Sequence, residues 1–99
     1  MRERQIEQRL TQAVRKRRGL CPKWVSPGLD GVPDRIILLP GGRIAFAELK
    51  APGKPLRPLQ RRRKAQLEAL GFRVYADLRR QMREADSEAQ SEVNEHEEG

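Results

Sequence analysis

The chain has 99 residues, of which 35% are charged, and a formal net charge of +7. This length suits one small domain with a modest core. The single cysteine excludes an intrachain disulfide and a thiolate metal site, and it favours a reducing compartment. No stretch resembles a membrane span or a signal peptide, so we expect a cytoplasmic protein without a membrane partner.

The net charge conceals two parts of opposite sign. Residues 1–80 carry 20 Lys and Arg against 7 Asp and Glu, a balance of +13. Residues 81–99 carry one Arg against 7 acidic residues, a balance of −6. A body this basic favours nucleic acid as a partner over a surface that is basic only for solubility. We expect one domain over 1–80 and an acidic, disordered tail over 81–99.

The first half of the domain begins with a helix and a short strand. Residues 2–18 are predicted to be helical because apolar side chains recur on one side, and Gly19 is a suitable end. Residues 20–25 are predicted to be a strand, in which Pro22 favours an edge position. Residues 26–33 contain two Gly and two Pro and are predicted to be a loop.

A hairpin and a second helix follow. Residues 34–39 and 43–49 are apolar and rich in branched side chains, which predicts two strands joined by a turn at Pro40-Gly41-Gly42. Residues 58–70 predict a helix that starts with Pro58, and residues 72–76 predict a last strand. A further short helix is expected over 78–84. The fold class is therefore α/β, in the order α-β-β-β-α-β, with a mixed four-stranded sheet flanked by helices and a parallel last strand.

The predicted hairpin brings two carboxylates together. If Leu39 pairs with Arg43 across the turn, Asp34 lies opposite Glu48, and Lys50 follows two residues later on the same face. Adjacent carboxylates repel each other, and a hard divalent cation relieves that repulsion. Mg²⁺ binds through one or two carboxylates and keeps several waters. The sequence therefore predicts a Mg²⁺ or Mn²⁺ site at Asp34 and Glu48.

Other residues near this site suit phosphodiester hydrolysis. The backbone carbonyl of Leu49 can complete the metal site, and Lys50 can orient a water or neutralise charge on a phosphate. Gln60, at the start of the second helix, can hydrogen-bond the water or the phosphate. The cationic side chains expected to hold the DNA backbone are Lys23, Lys54, Arg57, Arg61, Arg62, Arg63 and Lys64.

Three blocks of sequence together resemble the VRR-NUC domain, a branch of the PD-(D/E)xK nuclease superfamily. They are Gly31-Val32-Pro33-Asp34-Arg35, Phe46 to Gly53 (FAELKAPG) and Leu59-Gln60. The resemblance extends over about residues 3–76. It departs from the family at Arg57, where the residue before the helix is often Ser or Thr, which puts the helix cap in doubt.

The resemblance implies a restriction-endonuclease-like core and metal-dependent cleavage of DNA. It assigns Asp34 and Glu48 as metal ligands, Lys50 as the catalytic lysine and Gln60 as the motif glutamine. The glutamate of the first helix would be Glu7, with Glu3 as the alternative. Stand-alone members from phages and bacteria are similar to Holliday junction resolvases and tend to be homodimers, which implies branched DNA as the substrate and a bacterial or phage-infected cell as the location.

Simpler interpretations remain open at this stage. Asp34 on its own could merely begin a strand, Lys50 could pair with Glu48, and Gln60 could be solvated. Trp24 and Tyr75 could stack on bases, although we expect them in the core or an interface. His96 lies in the tail, and no second histidine exists to build a histidine centre. For the whole protein, the alternative function is non-catalytic nucleic-acid binding through the same basic face.

Overall fold

A computed structural model describes residues 2–50 and 53–76 of the chain. It contains, in chain order, α1 (Glu3–Lys16), β1 (Arg35–Leu39), β2 (Arg43–Ala47), α2 (Pro58–Ala69) and β3 (Arg73–Tyr75). The helix expected over 78–84 and the tail over 81–99 lie outside the described residues, as do two residues of the loop after β2. No helix in the described ranges is long and apolar enough to cross a membrane.

The hairpin has the predicted register. β1 pairs antiparallel with β2, with Leu39 opposite Arg43 and Arg35 opposite Ala47. The turn between them holds Gly41 and Gly42 at φ of 82° and 72°, a backbone conformation that glycine adopts without strain. β3 pairs parallel with β2, so the sheet order is β1-β2-β3 and the expected parallel last strand is confirmed.

The predicted first strand is present only as an interrupted edge. Residues 20–25 run antiparallel beside β1, but they form two isolated bridges, from Leu20 to Leu38 and from Lys23 to Arg35. Between those bridges, Pro22 accepts a hydrogen bond from Ile36 at 3.0 Å but has no N–H to return one. The expected four-stranded sheet is not confirmed, and the described residues form three strands.

The two helices cover opposite faces of the sheet. On one face the apolar stripe of α1 packs against buried side chains of both hairpin strands: Ile6, Leu10, Val14, Ile37, Ala45, Ala47 and Leu49. On the other face Leu67 of α2 packs with Phe46 and Val74. Alternation along the strands produces this division, because residues 45 and 47 point to one side and residue 46 to the other. The hairpin is therefore fixed from both sides.

The end of α1 shows why Gly19 occupies its position. The positive φ that ends the helix falls on Arg18, at 62°, and the Gly19 N–H donates to the Val14 carbonyl at 2.9 Å. A Cβ on Gly19 would lie 2.3 Å from the carbonyl oxygen of Leu38. Gly19 therefore serves the close approach of the chain to β1, whereas the left-handed turn is made by Arg18.

Candidate active site

The two predicted carboxylates meet just beyond the paired ends of β1 and β2. Extending the hairpin register by one residue puts Asp34 opposite Glu48. The backbone N–H of Leu49 donates to Oδ2 of Asp34 at 2.8 Å. The Asp34 side chain lies close enough to Glu48 to raise the pKa of its carboxyl group. The geometry therefore brings together the pair that the sequence predicted.

The Glu48 carboxyl group is buried with too little positive charge around it to keep it ionised at neutral pH. It is only 3% exposed, whereas Asp34 is exposed to solvent. Burial, a hydrogen bond to Asp34 and the Asp34 charge raise the pKa of Glu48 to about 8, against the opposing charges of Lys50 and Arg57. At neutral pH, without a bound cation, Glu48 is therefore protonated. A cation at this position would compete with that proton.

Gln60 links the start of α2 to Glu48. Its side chain is buried, and its Nε2 donates to Oε1 of Glu48 at 3.2 Å. Its Oε1 accepts the backbone N–H of Arg57 at 2.9 Å. Gln60 therefore supplies the helix cap that Arg57 lacks, as the third residue of the helix does in a capping box. Both ends of its amide have protein partners, which a sequence pattern could not indicate.

Gly31 places the loop before Asp34 against the same helix. It has φ of 78°, and a Cβ there would lie 2.8 Å from the side chain and 2.9 Å from the carbonyl oxygen of Leu59. Arg63 adds a tether, because its Nε donates to the Asp30 carbonyl at 2.9 Å. The glycine of the Gly-Val-Pro-Asp-Arg block therefore allows the Asp34 loop and α2 to approach closely.

Glu7 forms an ion pair with Arg35. Arg35 also donates to the Cys21 carbonyl at 2.8 Å, so it joins α1, β1 and the edge segment. Among residues 2–50 and 53–76, no three His, Cys, Asp or Glu side chains are grouped to hold a metal ion. The geometry thus brings Asp34 and Glu48 together without a third acidic ligand, and the role of Glu7 or Glu3 stays a prediction.

The predicted DNA-binding cations fall into two groups. Five of them are exposed on the surface: Lys23, Lys54, Arg57, Arg61 and Arg62. Two are half-buried and already paired, since Arg63 binds the Asp30 carbonyl and Lys64 forms an ion pair with Glu68. The exposed group is the better placed to meet phosphates, and DNA binding by either group stays a prediction.

Sequence reasoning missed Arg35 and the cleft beside Asp34. Arg35 was noticed only as part of a motif, because its partner Glu7 lies 28 residues away and no local pattern connects them. The cleft is lined by residues from four separate segments, among them Arg4, Trp24, Asp34 and Leu49. Apart from the aromatic character of Trp24, the sequence offered no signal for it.

Comparison with known proteins agrees with this arrangement. The chain is 51% identical over 74 residues to "Putative nuclease p44" of Acyrthosiphon pisum secondary endosymbiont phage 1, an alignment covering 75% of this chain and 80% of that protein. A solved structure described as "VRR_NUC domain" superposes with a TM-score of 0.67 at 28% identity, covering 75% of this chain and 81% of the other. No family model matches the chain.

The fold and the relative together define a nuclease domain. The chain belongs to the VRR-NUC family of nucleases. The resemblance noted in the sequence is thereby confirmed.

Proposed function

We propose that this protein is a Mg²⁺- or Mn²⁺-dependent endonuclease that hydrolyses phosphodiester bonds in branched DNA. The observation that carries the proposal is the Asp34–Glu48 pair. It combines one exposed and one buried carboxylate at the ends of two adjacent strands, with the pKa of Glu48 raised to about 8. Membership of a nuclease family supports the choice of reaction.

The chemistry of the donor atoms fits a divalent ion. Mg²⁺ favours oxygen ligands and commonly uses only one or two carboxylates together with water. Asp34 and Glu48 supply two such groups, and the Leu49 carbonyl is the third candidate. When bound, the ion would lower the pKa of a coordinated water and neutralise charge on a phosphate oxygen. The ion would also neutralise the negative charge of the two carboxylates. Lys50 and Arg57 do so only in part, since the pKa of Glu48 stays high in their presence.

The remaining residues position the substrate and the carboxylates. Lys50 is close enough to Glu48 to lower its pKa, so its ammonium can also meet a phosphate oxygen at the site. Gln60 holds Glu48 by its Nε2, which fixes the orientation of that carboxyl group. The start of α2 lies beside Glu48, and its dipole adds positive potential there.

The basic surface accounts for DNA as the substrate class. Arg61 and Arg62 are exposed on α2, and Arg57 is exposed at its start. Contacts from such side chains to phosphates are strong, salt-sensitive and independent of sequence. We further propose a homodimer, because paired incisions on opposite strands of a junction need two active sites and each chain supplies one.

The decisive experiment is cleavage of a four-way junction and of linear duplex with Mg²⁺, with Mn²⁺ and with EDTA. We expect Asp34→Asn, Glu48→Gln and Lys50→Met each to lower the rate at least about 100-fold, as removal of charge-stabilising groups does in other enzymes. Asp30→Asn and Lys16→Met are matched controls, because both residues are exposed and neither hydrogen-bonds to the carboxylate pair through its side chain.

Two outcomes would contradict the proposal. Wild-type rates in all three site variants would show that the site assignment is wrong. Binding of DNA without cleavage, together with no heat of Mn²⁺ binding in calorimetry, would instead favour the non-catalytic binding protein. Loss of metal binding in Asp34→Asn with normal binding in Asp30→Asn would support the assignment independently of activity.

A further inference from the structure

A group of arginines lies beside the turn of the hairpin, at the opposite end of the strands from the carboxylate pair. Three of them come from the end of α1 and one from β2, and we call the group the turn-end cluster. Its members, all exposed, are Arg15, Arg17, Arg18 and Arg43. Five residues of extended chain lead from Asp34 to Leu39 at the turn, so the cluster lies about 17 Å from the candidate active site.

Two contacts bring the members of the cluster together. A Cβ on Gly19 would lie 2.3 Å from the carbonyl oxygen of Leu38, so the chain just after Arg18 touches β1. Arg43 is paired with Leu39, the next residue of that strand. Alternation along β2 puts Arg43 on the face of the sheet that α1 covers. The end of α1 and Arg43 therefore meet at one corner of the domain.

Arg15 lies on the side of α1 that faces the outer edge of β1. Glu7 marks this side, because its ion-pair partner Arg35 also donates to the Cys21 carbonyl of the edge segment. At 3.6 residues per turn, Arg15 lies about 80° around the helix from Glu7. Arg9 lies about 160° from Glu7, on the far side of the helix. The cluster is therefore continuous with the edge of the sheet, and Arg9 is not part of it.

The segments that carry the cluster contain no acidic residue to balance it. No Asp or Glu occurs in residues 8–29 or in residues 35–47. A cation in the last turn of a helix balances the helix dipole, which accounts for Arg15. Arg18 follows the end of α1 and Arg43 lies on a strand, so the dipole does not account for these two. We therefore expect an anionic ligand from outside these segments.

The edge segment connects the cluster with the carboxylate pair. Residues 20–25 run beside β1, and the N–H of Trp24 donates to the Asp34 carbonyl at 2.9 Å. Lys23 is exposed on this segment. A DNA backbone that follows the edge from Asp34 would pass Lys23 and then reach Arg18. Regularly spaced phosphates are the ligands that suit such a row of cations.

We propose that the turn-end cluster is a second phosphate-binding surface of this protein. The inference rests on the proposed function in taking DNA as the ligand, and it adds a contact away from the reacting atoms. Since a base pair occupies about 3.4 Å of the duplex axis, the cluster holds the DNA backbone about five base pairs from the scissile phosphate. DNA that ends before this point on that side of the incision loses the contact.

Binding without cleavage tests the surface directly. Fluorescence anisotropy with a labelled duplex in EDTA gives the affinity at a series of salt concentrations. The variants are Arg15→Gln, Arg43→Gln and Arg18→Asn, the last because asparagine tolerates the φ of 62° at this position. Each should reduce the log–log salt slope by about 0.9, the value for one lost phosphate contact.

Arg9→Gln is the matched control for Arg15→Gln, because both residues are exposed on the same helix and the substitution is the same. We expect Arg9→Gln to keep the wild-type salt slope. Unchanged slopes in the three cluster variants would overturn the proposal. An equal fall in Arg9→Gln would also overturn it, because the effect would then reflect total charge and not a local contact.

Cleavage tests the position of the contact. Once the incision is mapped in Mg²⁺, the duplex on either side of it is shortened one base pair at a time. We expect kcat/KM to fall on one side when fewer than about five base pairs remain, and Arg18→Asn to be less sensitive to that shortening than the wild type. Equal sensitivity of the two proteins would refute the contact.

The two measurements separate this inference from the proposed function. Absence of metal-dependent cleavage by the wild type would refute the function, and the salt slopes in EDTA would still decide whether the cluster binds DNA. Normal cleavage with unchanged slopes in the cluster variants would instead refute the second surface while the nuclease function stands.

Discussion

Replacing Glu48 with Gln should change how the stability of the metal-free protein depends on pH. The pKa of Glu48 is raised from 4.5 to about 8, so the folded chain holds a proton that the unfolded chain releases above pH 4.5. The stability that this carboxyl contributes is complete below pH 4.5 and is lost as pH rises through about 8. Gln keeps the shape and hydrogen-bonding pattern of the protonated acid, because its amide can accept from Gln60 and donate to Asp34.

The size of the effect follows from the proton count. One proton held by the folded state and absent from the unfolded state changes the free energy of unfolding by about 1.4 kcal/mol per pH unit. Between pH 5.5 and 7 the wild type should therefore lose up to about 2 kcal/mol relative to Glu48→Gln. At pH 4 and below, the two proteins should differ little from this cause.

Urea denaturation in EDTA at pH 5, 5.5, 6, 7 and 8, at constant ionic strength, measures the difference between the two proteins. The contributions of other titrating groups cancel when the free energy of unfolding of the variant is subtracted from that of the wild type at each pH. Glu68→Gln is the control, because Glu68 is exposed and forms its ion pair with Lys64 on its own helix. We expect Glu68→Gln to follow the wild-type slope.

Parallel pH profiles for the wild type and Glu48→Gln would refute the reasoning, because they would mean that Glu48 titrates alike in the folded and unfolded chains. A second check uses Mn²⁺. Since the ion must displace the Glu48 proton, its affinity should increase with pH, by up to about tenfold per unit below pH 8. Affinity that is constant from pH 6 to 8 would contradict the same argument.

Three further predictions concern α2 and its contacts. Gln60→Leu should cost about 1–3 kcal/mol in urea denaturation because it removes a helix cap and leaves Glu48 without its partner, and an unchanged free energy of unfolding would exclude both roles. Gly31→Ala should cost about 1–3 kcal/mol because it combines a positive φ with a clash against Leu59, and a thermal melt equal to wild type would show that the loop adapts. Arg61→Ala and Arg62→Ala should each reduce the salt dependence of DNA binding by about 0.9 in log–log slope, and an unchanged slope would remove that residue from the interface.

The hairpin and the carboxylate pair were predictable from the sequence because they depend on short-range rules. Alternation of side chains and a three-residue turn with two glycines fix the pairing of Leu39 with Arg43. That register alone puts Asp34 opposite Glu48. The two helices of the described residues were predictable for the same reason, and their observed ends differ from the predicted ones by at most two residues. The expected four-stranded sheet is not confirmed, and the edge segment beside β1 is interrupted at Pro22, which cannot donate a ladder hydrogen bond.

Only the tertiary structure decided what surrounds the pair. From the sequence, Gln60 could equally have been solvated or bound to a water. The packing of α2 on the hairpin makes it the cap of that helix and the hydrogen-bond partner of Glu48. Glu7 likewise acquired Arg35 as its partner through the docking of α1. Contacts between segments distant in the chain depend on how the elements pack, whereas the register of a hairpin depends on neighbouring residues. The sequence by itself therefore determined where two carboxylates meet, and the tertiary structure determined that one is buried, one is exposed and a cleft lies beside them.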